Sequence, residues 1–291
     1  MSFSTKDIPD QSGRTVVITG ANSGIGEGAA KALAAAGARV VLAVRDTSKG
    51  EAAATKMPGR TEVRRLDLSD LSSVRSFAAA WKGPIDLLIN NAGVMATPLS
   101  RTADGFELQI GTNHLGHFAL TNLLLPDVTD RVVSVSSMVH TIGKIDLDDL
   151  NWERRRYSRW GAYGQSKLAN LMFSSELQRR LAEANSTVIA TSAHPGYAST
   201  HLQGHTGSAI QHLTMAIVTP LVGQSADAGA LPTLYAALAD VHGDSFAGPS
   251  HLGGMRGAPK LVGRSAAARN PETAAGLWKL SEQLTETSFP L

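Results

Sequence analysis

Tyr163 and Lys167 lie one helical turn apart in the stretch AYGQSKLANLMF, residues 162–173. A phenol with its ordinary pKa of about 10 is a poor base at neutral pH, but a neighbouring ammonium group stabilises phenolate and lowers that pKa by roughly 1–3 units. The i,i+4 spacing places both side chains on one helical face. Such a pair can exchange a proton with an oxygen atom, yet it also arises by chance on surface helices. Its meaning therefore depends on the elements around it.

Those elements alternate between apolar strands and helices. Short apolar runs that end at glycine or polar residues predict strands at 14–20, 38–44, 61–68, 85–91, 131–137 and 186–195. Helices are predicted at 24–37, 71–81, 103–125, 159–183 and 225–239. Strands that are apolar throughout and separated by helices are typical of a parallel sheet covered on both faces. We therefore predict an α/β Rossmann fold, a doubly wound parallel sheet flanked by helices on both faces.

The chain is predicted to be one domain over residues 1–291, with a core at about 13–240. The region at about 200–291 is expected to supply the substrate loop and the C-terminal part. Within it, 201–212 is predicted to be mobile and 246–260 to be a glycine-rich loop. Residues 201–223 mix Leu, Met and Ile with histidines, so we expect them to line a cleft for a fairly apolar compound.

Composition excludes several classes of protein. The 291 residues are 43% hydrophobic and 18% charged, which is typical of a folded globular chain. A net charge of +2 does not favour a nucleic-acid partner. The chain has no cysteine, which excludes disulfides and thiolate chemistry and suits a cytoplasmic location. We expect no signal peptide and no transmembrane segment, while peripheral membrane contact stays open.

A glycine turn follows the first predicted strand, at the edge where doubly wound sheets bind their ligands. Gly20, Gly24 and Gly26 have the spacing G-x-x-x-G-x-G within TGANSGIG. Glycines allow a close backbone approach to a pyrophosphate, and the N-terminus of the following helix offers unpaired N–H groups to it. The turn predicts a dinucleotide site, although a tight turn without a ligand is the alternative.

The end of the second predicted strand indicates which dinucleotide binds. An NAD enzyme usually has an acidic residue there to accept hydrogen bonds from the adenosine ribose. This chain has Val44, which cannot accept one, followed by Arg45, whose guanidinium can bind a 2′-phosphate bidentately. The alternative is a surface ion pair of Arg45 with Asp46 or Glu51. NADP(H) is the predicted cofactor, and NAD(H) is the second candidate.

Further motifs follow the glycine turn in a fixed order. They are NNAG at 90–93, Asn113, Ser137, Y-x-x-S-K at 163–167, and HPG at 194–196 with Thr200. Together they resemble the short-chain dehydrogenase/reductase family in its roughly single-domain form, over about residues 13–240. Within that family, VVLAVRD, NHLGHF, SSMVH and LANLMFSSEL look like the group of retinol dehydrogenases, WW-domain oxidoreductase and protochlorophyllide reductase.

The resemblance implies a catalytic role for four residues. Tyr163 would be the general acid or base, and Lys167 would lower its pKa while holding the nicotinamide ribose. Ser137 would hydrogen-bond the substrate oxygen, with Ser136 as the alternative serine. Asn113 would anchor a water molecule that links the lysine to solvent.

The resemblance also implies a cofactor site. Asp67 and Leu68 would border the adenine, Asn91–Gly93 the adenosine ribose, and Thr200 the nicotinamide amide or a phosphate. The complete predicted cofactor set is Gly20, Asn22, Ser23, Gly24, Ile25, Gly26, Arg45, Asp67, Leu68, Asn91, Ala92, Gly93, Tyr163, Lys167, Pro195, Gly196 and Thr200.

One departure from the family pattern is the long interval between Ser137 and Tyr163. The extra segment, residues 144–160, resembles one in the retinol-dehydrogenase-like group, and we expect it to form a flap beside the substrate cleft. Its arginines at 154–156 are expected to be solvated. Family members often form homo-oligomers through the helices of Asn113 and Tyr163. The flap would obstruct that surface, so the oligomeric state stays open.

Two histidine pairs, His114 with His117 and His201 with His205, have spacings compatible with metal ligation. No set of carboxylate ligands accompanies them in the sequence, and hydride transfer needs no metal, so we expect none.

The predicted function is an NADP-dependent oxidoreductase that interconverts an alcohol and a carbonyl on a fairly apolar small molecule, a retinoid being one candidate. The alternative is a non-catalytic dinucleotide-binding regulatory or scaffold protein of the same fold, although such proteins usually lose the tyrosine or lysine. Protochlorophyllide reduction is disfavoured because its enzymes are associated with cysteines near the pigment.

Overall fold

The computed structural model describes residues 3–196 and 225–291. Its strands are β1 (Thr15–Thr19), β2 (Arg39–Val44), β3 (Arg60–Arg65), β4 (Ile85–Asn90), β5 (Val128–Val135), β6 (Ile189–Ala193), β7 (Phe246–His251) and β8 (Arg256–Leu261). Its helices are α1 (Gly24–Ala35), α2 (Thr47–Ala54), α3 (Leu71–Ala79), α4 (Leu108–Ile110), α5 (Gly116–Leu124), α6 (Arg159–Glu183), α7 (Ala226–Leu238) and α8 (Pro271–Thr285). The predicted mobile segment at 201–212 lies outside the described residues.

The strands of the described residues form one sheet of eight, in the order β3-β2-β1-β4-β5-β6-β7-β8. Neighbouring strands are parallel except β7 and β8, which are antiparallel. The chain winds outward from β1 in one direction through β2 and β3, and from β4 in the other. That reversal between β1 and β4 opens a crevice at the carboxyl ends of the central strands. The predicted doubly wound Rossmann fold is confirmed.

Strand residues alternate between two core layers because successive side chains point to opposite faces of a sheet. On one face Val17 of β1 belongs to a buried cluster with Phe118, Leu177 and Trp278, contributed by α5, α6 and α8. On the other face Val16 and Ile18 join a buried cluster with residues of α1 and α7, among them Leu33 and Leu234. Val16, Val17 and Ile18 are completely buried between these layers, which explains why the central strands are apolar throughout.

The long helix α6 has the bounds that the sequence predicts. Its N-cap is Ser158, whose side chain accepts a hydrogen bond from the Gly161 N–H. Leu168, Leu171, Met172 and Leu177 are at most 2% exposed. These side chains fix the helix in the core, so the positions of Tyr163 and Lys167 are set by packing.

The prediction of a loop at 246–260 is wrong, because these residues form the hairpin of β7 and β8. Pro249 of β7 lies opposite Pro259 of β8. A proline cannot donate to a strand ladder, so prolines and glycines mask a strand in the sequence. Here β8 is an edge strand, and β7 pairs with β6 only at Phe246 and Ala247, before its proline.

The helix predicted at 103–125 starts later than expected and is irregular. Its first helical residue is Leu108, and the Glu107 carboxylate caps it by accepting hydrogen bonds from the Gln109 and Ile110 N–H groups. A π-helical turn at Gly111–Leu115 then joins α4 to α5. The sequence did not predict α2 or α8. In residues 3–196 and 225–291, no helix is long and apolar enough to cross a bilayer.

Candidate active site

A cavity lies at the carboxyl ends of the central strands and gathers most of the predicted site residues. The predicted residues that line it are Gly20, Asn22, Ser23, Gly24, Ile25, Gly26, Arg45, Asp67, Leu68, Asn91, Ala92, Gly93, Tyr163, Lys167 and Pro195. Ser136, the alternative serine, also lines it, as do residues that the sequence did not predict: Ala43, Asp46, Lys49, Leu66, Val94, Thr112 and Val135. Most of the latter lie within a few positions of a predicted residue, so proximity to the motifs could have indicated them.

The glycine turn has the geometry that its spacing predicts. Gly20 and Gly24 have φ angles of +66° and +58°, a region that other residues adopt at a cost. A Cβ on Gly26 would lie 2.6 Å from the Gly20 carbonyl oxygen and would also overlap the Asn91 side chain. Ser23 is the N-cap of α1 and is exposed at the cavity wall. The turn therefore presents free backbone and the N-terminus of a twelve-residue helix, an arrangement that suits a pyrophosphate.

Arg45 follows β2 and lies at the cavity wall with its side chain exposed. Among the described residues it forms no ion pair, whereas Asp46 pairs with Lys49 at 3.6 Å. The Asp46 carboxylate also caps α2 by accepting a hydrogen bond from the Lys49 N–H. The expected alternative, a pairing of Arg45 with Asp46 or Glu51, is therefore not adopted. The residues present fit a 2′-phosphorylated dinucleotide.

The part of the cavity wall that carries Asp67 and Asn91 is held by short polar contacts. The Asp67 carboxylate accepts hydrogen bonds from the Ser69 N–H at 3.0 Å and the Ser69 hydroxyl at 2.6 Å. The Asn91 side chain donates to the Thr19 carbonyl at 2.8 Å. This contact fixes the residues after β4 against the end of β1, next to the glycine turn.

Tyr163 and Lys167 close the other end of the cavity. The Lys167 Nζ lies 5.7 Å from the centre of the Tyr163 ring and donates a hydrogen bond to the Val135 carbonyl at 3.1 Å. Hydrogen bonding by the Ser137 hydroxyl acts to lower the pKa of the Tyr163 phenol, and the same hydroxyl accepts a hydrogen bond from the Val139 N–H at 3.2 Å. The Ser136 hydroxyl instead donates to the Lys167 carbonyl at 2.7 Å. Of the two candidate serines, Ser137 is thus the one that contacts the phenol.

Burial sets the protonation of this pair. It raises the pKa of Tyr163 to about 12, and the Ser137 hydrogen bond opposes the rise. Burial lowers the pKa of Lys167 to about 8. The predicted lowering of the phenol pKa by the ammonium is therefore not found, because the pKa of Tyr163 lies above its ordinary value. Desolvation disfavours phenolate, and its effect outweighs that of the hydrogen bond from Ser137.

Asn113 lies in the π-helical turn behind the cavity wall and is fully buried. Its side-chain oxygen accepts a hydrogen bond from the Val94 N–H at 2.7 Å, and its amide donates to the Val94 carbonyl and the Ser166 hydroxyl at 2.9 Å each. The Ser166 hydroxyl donates in turn to the Tyr163 carbonyl at 2.8 Å. The asparagine therefore ties the segment after β4 to the helix that carries the tyrosine.

The predicted residues after β6 are only partly brought together. Pro195 lines the cavity, whereas Gly196 does not. The Gly196 N–H donates to the His194 ring at 3.3 Å, and its φ angle is +71°. Thr200 lies outside the described residues, as do the expected cleft-lining residues 201–223.

The segment predicted as a flap has no regular secondary structure before α6 begins, and its side chains contact that helix. The guanidinium of Arg155 lies 3.8 Å from the centre of the Trp152 ring and donates to the Gln165 side chain at 2.5 Å. It also pairs with Asp149 at 3.4 Å. Arg154 and Arg156 are exposed. The expectation of a solvated face therefore holds for the two outer arginines and is wrong for the central one.

The histidines at 114 and 117 do not share a ligand position. His114 is hydrogen-bonded to the Ser281 hydroxyl at 2.9 Å, and His117 to the Thr19 hydroxyl at 2.8 Å. Each ring therefore points to a different element. His201 and His205 lie outside the described residues.

Comparison with known proteins adds independent information. The sequence model of the short chain dehydrogenase family matches residues 14–211. The chain is 43% identical to human (Homo sapiens) retinol dehydrogenase 13 over 96% of this chain and 86% of that protein. It is 45% identical to human retinol dehydrogenase 12 over 94% of this chain and 86% of that protein. It also resembles the crystal structure of an uncharacterised protein from Mycobacterium Paratuberculosis, with 58% identity, a TM-score of 0.88 and full coverage of both chains.

The match of the family model, the identity to these relatives, the sheet order and the cavity at the strand ends agree with one another. The chain belongs to the short-chain dehydrogenase/reductase family, within its retinol-dehydrogenase-like group, and is an oxidoreductase of the alcohol and carbonyl class.

Proposed function

We propose that this protein is an NADP-dependent oxidoreductase that interconverts an alcohol and an aldehyde or ketone on a fairly apolar small molecule. The observation that carries the proposal is the shared cavity, in which the glycine turn lies at one end and Tyr163 with Lys167 at the other. Binding of a dinucleotide and transfer of a proton can therefore take place in one cavity.

NADP(H), when bound, supplies or takes up the hydride. In the direction of reduction, oxygen of the substrate gains negative charge, and the Tyr163 phenol donates a proton to it. A phenol with a pKa of about 12 is protonated at neutral pH and is thus ready to donate. The Ser137 hydroxyl, bonded to the phenol, orients the substrate oxygen, and the Lys167 ammonium stabilises the phenolate that remains.

The cofactor preference rests on Arg45. Its exposed guanidinium stands at the cavity wall without an acidic partner among the described residues. Val44, just before it, is buried and offers no acceptor to ribose hydroxyls. A 2′-phosphate would gain charge-assisted hydrogen bonds here, whereas NAD(H) would gain nothing comparable.

The substrate class rests on relatives and on apolar surface. The two human relatives described above are retinol dehydrogenases, so a retinol-like alcohol is the first compound to test. Trp160 packs edge-on to the Tyr163 ring, with centres 6.1 Å apart, and gives the approach to the phenol an aromatic side.

The whole of residues 1–291 would act as one catalytic domain. The β7–β8 hairpin extends the same sheet, and Trp278 of α8 packs in the same core as α5 and α6. A cytoplasmic setting is in keeping with a chain that has no cysteine.

The test is an absorbance assay of reduced nicotinamide with the purified chain, comparing NADPH with NADH over a panel of apolar aldehydes, ketones and alcohols that includes retinal and retinol. We expect turnover with NADPH and weaker turnover with NADH. A clear preference for NADH would contradict the role of Arg45. Tight NADPH binding without turnover on any compound would favour the regulatory or scaffold protein instead.

A further inference from the structure

His117 of α5 lies between the glycine turn and the residues proposed to transfer the proton, and it has no part in the mechanism proposed for them. It is 3% exposed. Its Nε2 is 2.8 Å from the Thr19 hydroxyl, at the end of β1 and next to Gly20. Its Nδ1 is 2.9 Å from the carbonyl oxygen of Asn113, in the π-helical turn. One imidazole thus contacts both halves of the site.

The partners of Thr19 fix which nitrogen of His117 carries the proton. The Thr19 hydroxyl oxygen accepts hydrogen bonds from the Asn91 and Ala92 N–H groups, each at 2.9 Å. Because a hydroxyl has two acceptor positions and one proton, that proton is left to donate to Nε2. Among the described residues, the other acceptor within reach of this proton is the Ile89 carbonyl, which is 3.5 Å away. His117 is therefore neutral, with Nδ1–H donating to Asn113.

Its surroundings keep it neutral. Burial lowers the pKa of His117 to about 4, the Asn113 carbonyl opposes that effect, and the nearby Lys167 ammonium adds to it. An imidazolium would place a second cation beside Lys167 and would leave one N–H facing a hydroxyl with no free acceptor position. The ring is a fixed connector and not a proton carrier.

We propose that His117 is a positioning residue that couples the glycine turn to Asn113, so that cofactor binding and proton transfer share one rigid frame. The proposal rests on the proposed function. Asn113 in turn holds Val94 and, through Ser166, the backbone of Tyr163. A movement of β1 at the glycine turn would therefore be transmitted to the backbone of Tyr163 along a chain of four hydrogen-bonded residues: Thr19, His117, Asn113 and Ser166.

Three variants test the coupling. His117→Leu removes both hydrogen bonds at similar volume, whereas an amide in His117→Gln can still donate to Asn113 and accept from Thr19. His114→Leu is the matched control, because His114 is equally buried but bonds Ser281 of α8 instead. The measurements are kcat, KM for NADPH, the Kd of NADPH by fluorescence, and the melting temperature.

We expect His117→Leu to lose roughly tenfold or more in kcat/KM and to bind NADPH more weakly, because two buried polar groups lose their partner. His117→Gln should stay close to the wild-type values, and His114→Leu should melt earlier but keep its kcat/KM. Wild-type kcat/KM and Kd in His117→Leu would overturn the proposal. So would a folded His117→Gln as impaired as His117→Leu.

An NMR measurement on the wild-type protein covers the case in which His117→Leu does not fold. The ¹⁵N resonances of the imidazole should report the neutral Nδ1–H form between about pH 6 and 8. An Nε2–H form or an imidazolium would overturn the proposal. Absence of turnover in the wild-type protein would refute the proposed function alone, since the tautomer and the NADPH affinity of His117→Leu test the coupling independently.

Discussion

The two ends of the cavity are built in different ways. At the end with the glycine turn, consecutive residues 19–26 present backbone and an exposed serine, with an exposed arginine beside them. At the end with the tyrosine and lysine, the proposed catalytic residues come from three separate segments, namely Asn113, Ser137, and Tyr163 with Lys167; the tyrosine and lysine are only 7% and 4% exposed. One end is made by local sequence and the other by packing.

This difference predicts that the two ends respond differently to substitution. Substitution of the exposed Arg45 should change which dinucleotide binds, because its charge is available to a ligand at little desolvation cost. Substitution of the buried Tyr163 or Lys167 should change the rate of turnover, because burial sets the protonation of both groups. The comparison of the two ends is therefore best tested with variants that change dinucleotide binding without changing turnover, or turnover without changing binding.

Tyr163→Phe should give the largest effect. Loss of the phenol removes the general acid while the ring, which packs against Trp160, remains. We expect kcat to fall roughly 10²- to 10⁴-fold with little change in the Kd of NADPH. Steady-state rates and fluorescence titration measure the two quantities. An enzyme of unimpaired kcat would show that another group moves the proton.

Arg45→Ala should act on the opposite end. The ratio of kcat/KM for NADPH to that for NADH should fall roughly 10- to 100-fold, since a charge-assisted contact to the 2′-phosphate is lost. The value for NADH should not change. Arg60→Ala is the control, because Arg60 is exposed at the amino end of β3, the edge of the sheet away from the site. An equal fall of this ratio in Arg45→Ala and Arg60→Ala would show that the preference comes from the net charge of the protein and not from a contact of Arg45.

Gly26→Ala should weaken both dinucleotides. Its Cβ would lie 2.6 Å from the Gly20 carbonyl oxygen, so the turn must shift. Overpacking costs about 1–3 kcal/mol. A cost of about 1.4 kcal/mol, near the lower end of that range, corresponds to roughly a tenfold increase in Kd for NADPH and NADH alike. Gly263→Ala is the control, because a Cβ there meets nothing within 4 Å; it should leave both Kd values unchanged. An increase in the Kd of NADPH alone in Gly26→Ala would mean that the turn does not hold the pyrophosphate that the two dinucleotides share.

The pH profile should show a change no larger than that of Gly26→Ala. Lys167 is charged below its pKa of about 8 and loses its proton as the pH rises through that value. In the direction of reduction, kcat/KM should fall about tenfold between about pH 7 and 9, because the phenolate loses its stabilising cation. Tyr163, with a pKa of about 12, stays protonated over this range. The preference for NADPH should persist, since arginine remains charged. A flat profile would contradict the role of the lysine.

Several features could be read from the sequence because their cause is local. The spacing of Gly20, Gly24 and Gly26 predicts a turn whose left-handed φ angles the structure shows. The apolar strands and the bounds of α6 follow from periodicity, since buried faces need apolar side chains at fixed intervals. The hairpin of β7 and β8 was missed because proline and glycine conceal a strand that tertiary pairing nevertheless forms.

By itself, the sequence determined the fold class, the glycine turn and the residue types that the site brings together. Only the tertiary structure decided how those residues behave. Burial reverses the expected pKa shift of Tyr163, and the Lys167 carbonyl engages Ser136 and leaves Ser137 for the phenol. His117 joins β1 to α5 across the sheet edge. Desolvation and hydrogen-bond geometry depend on neighbours distant in the chain, so a motif alone does not specify them.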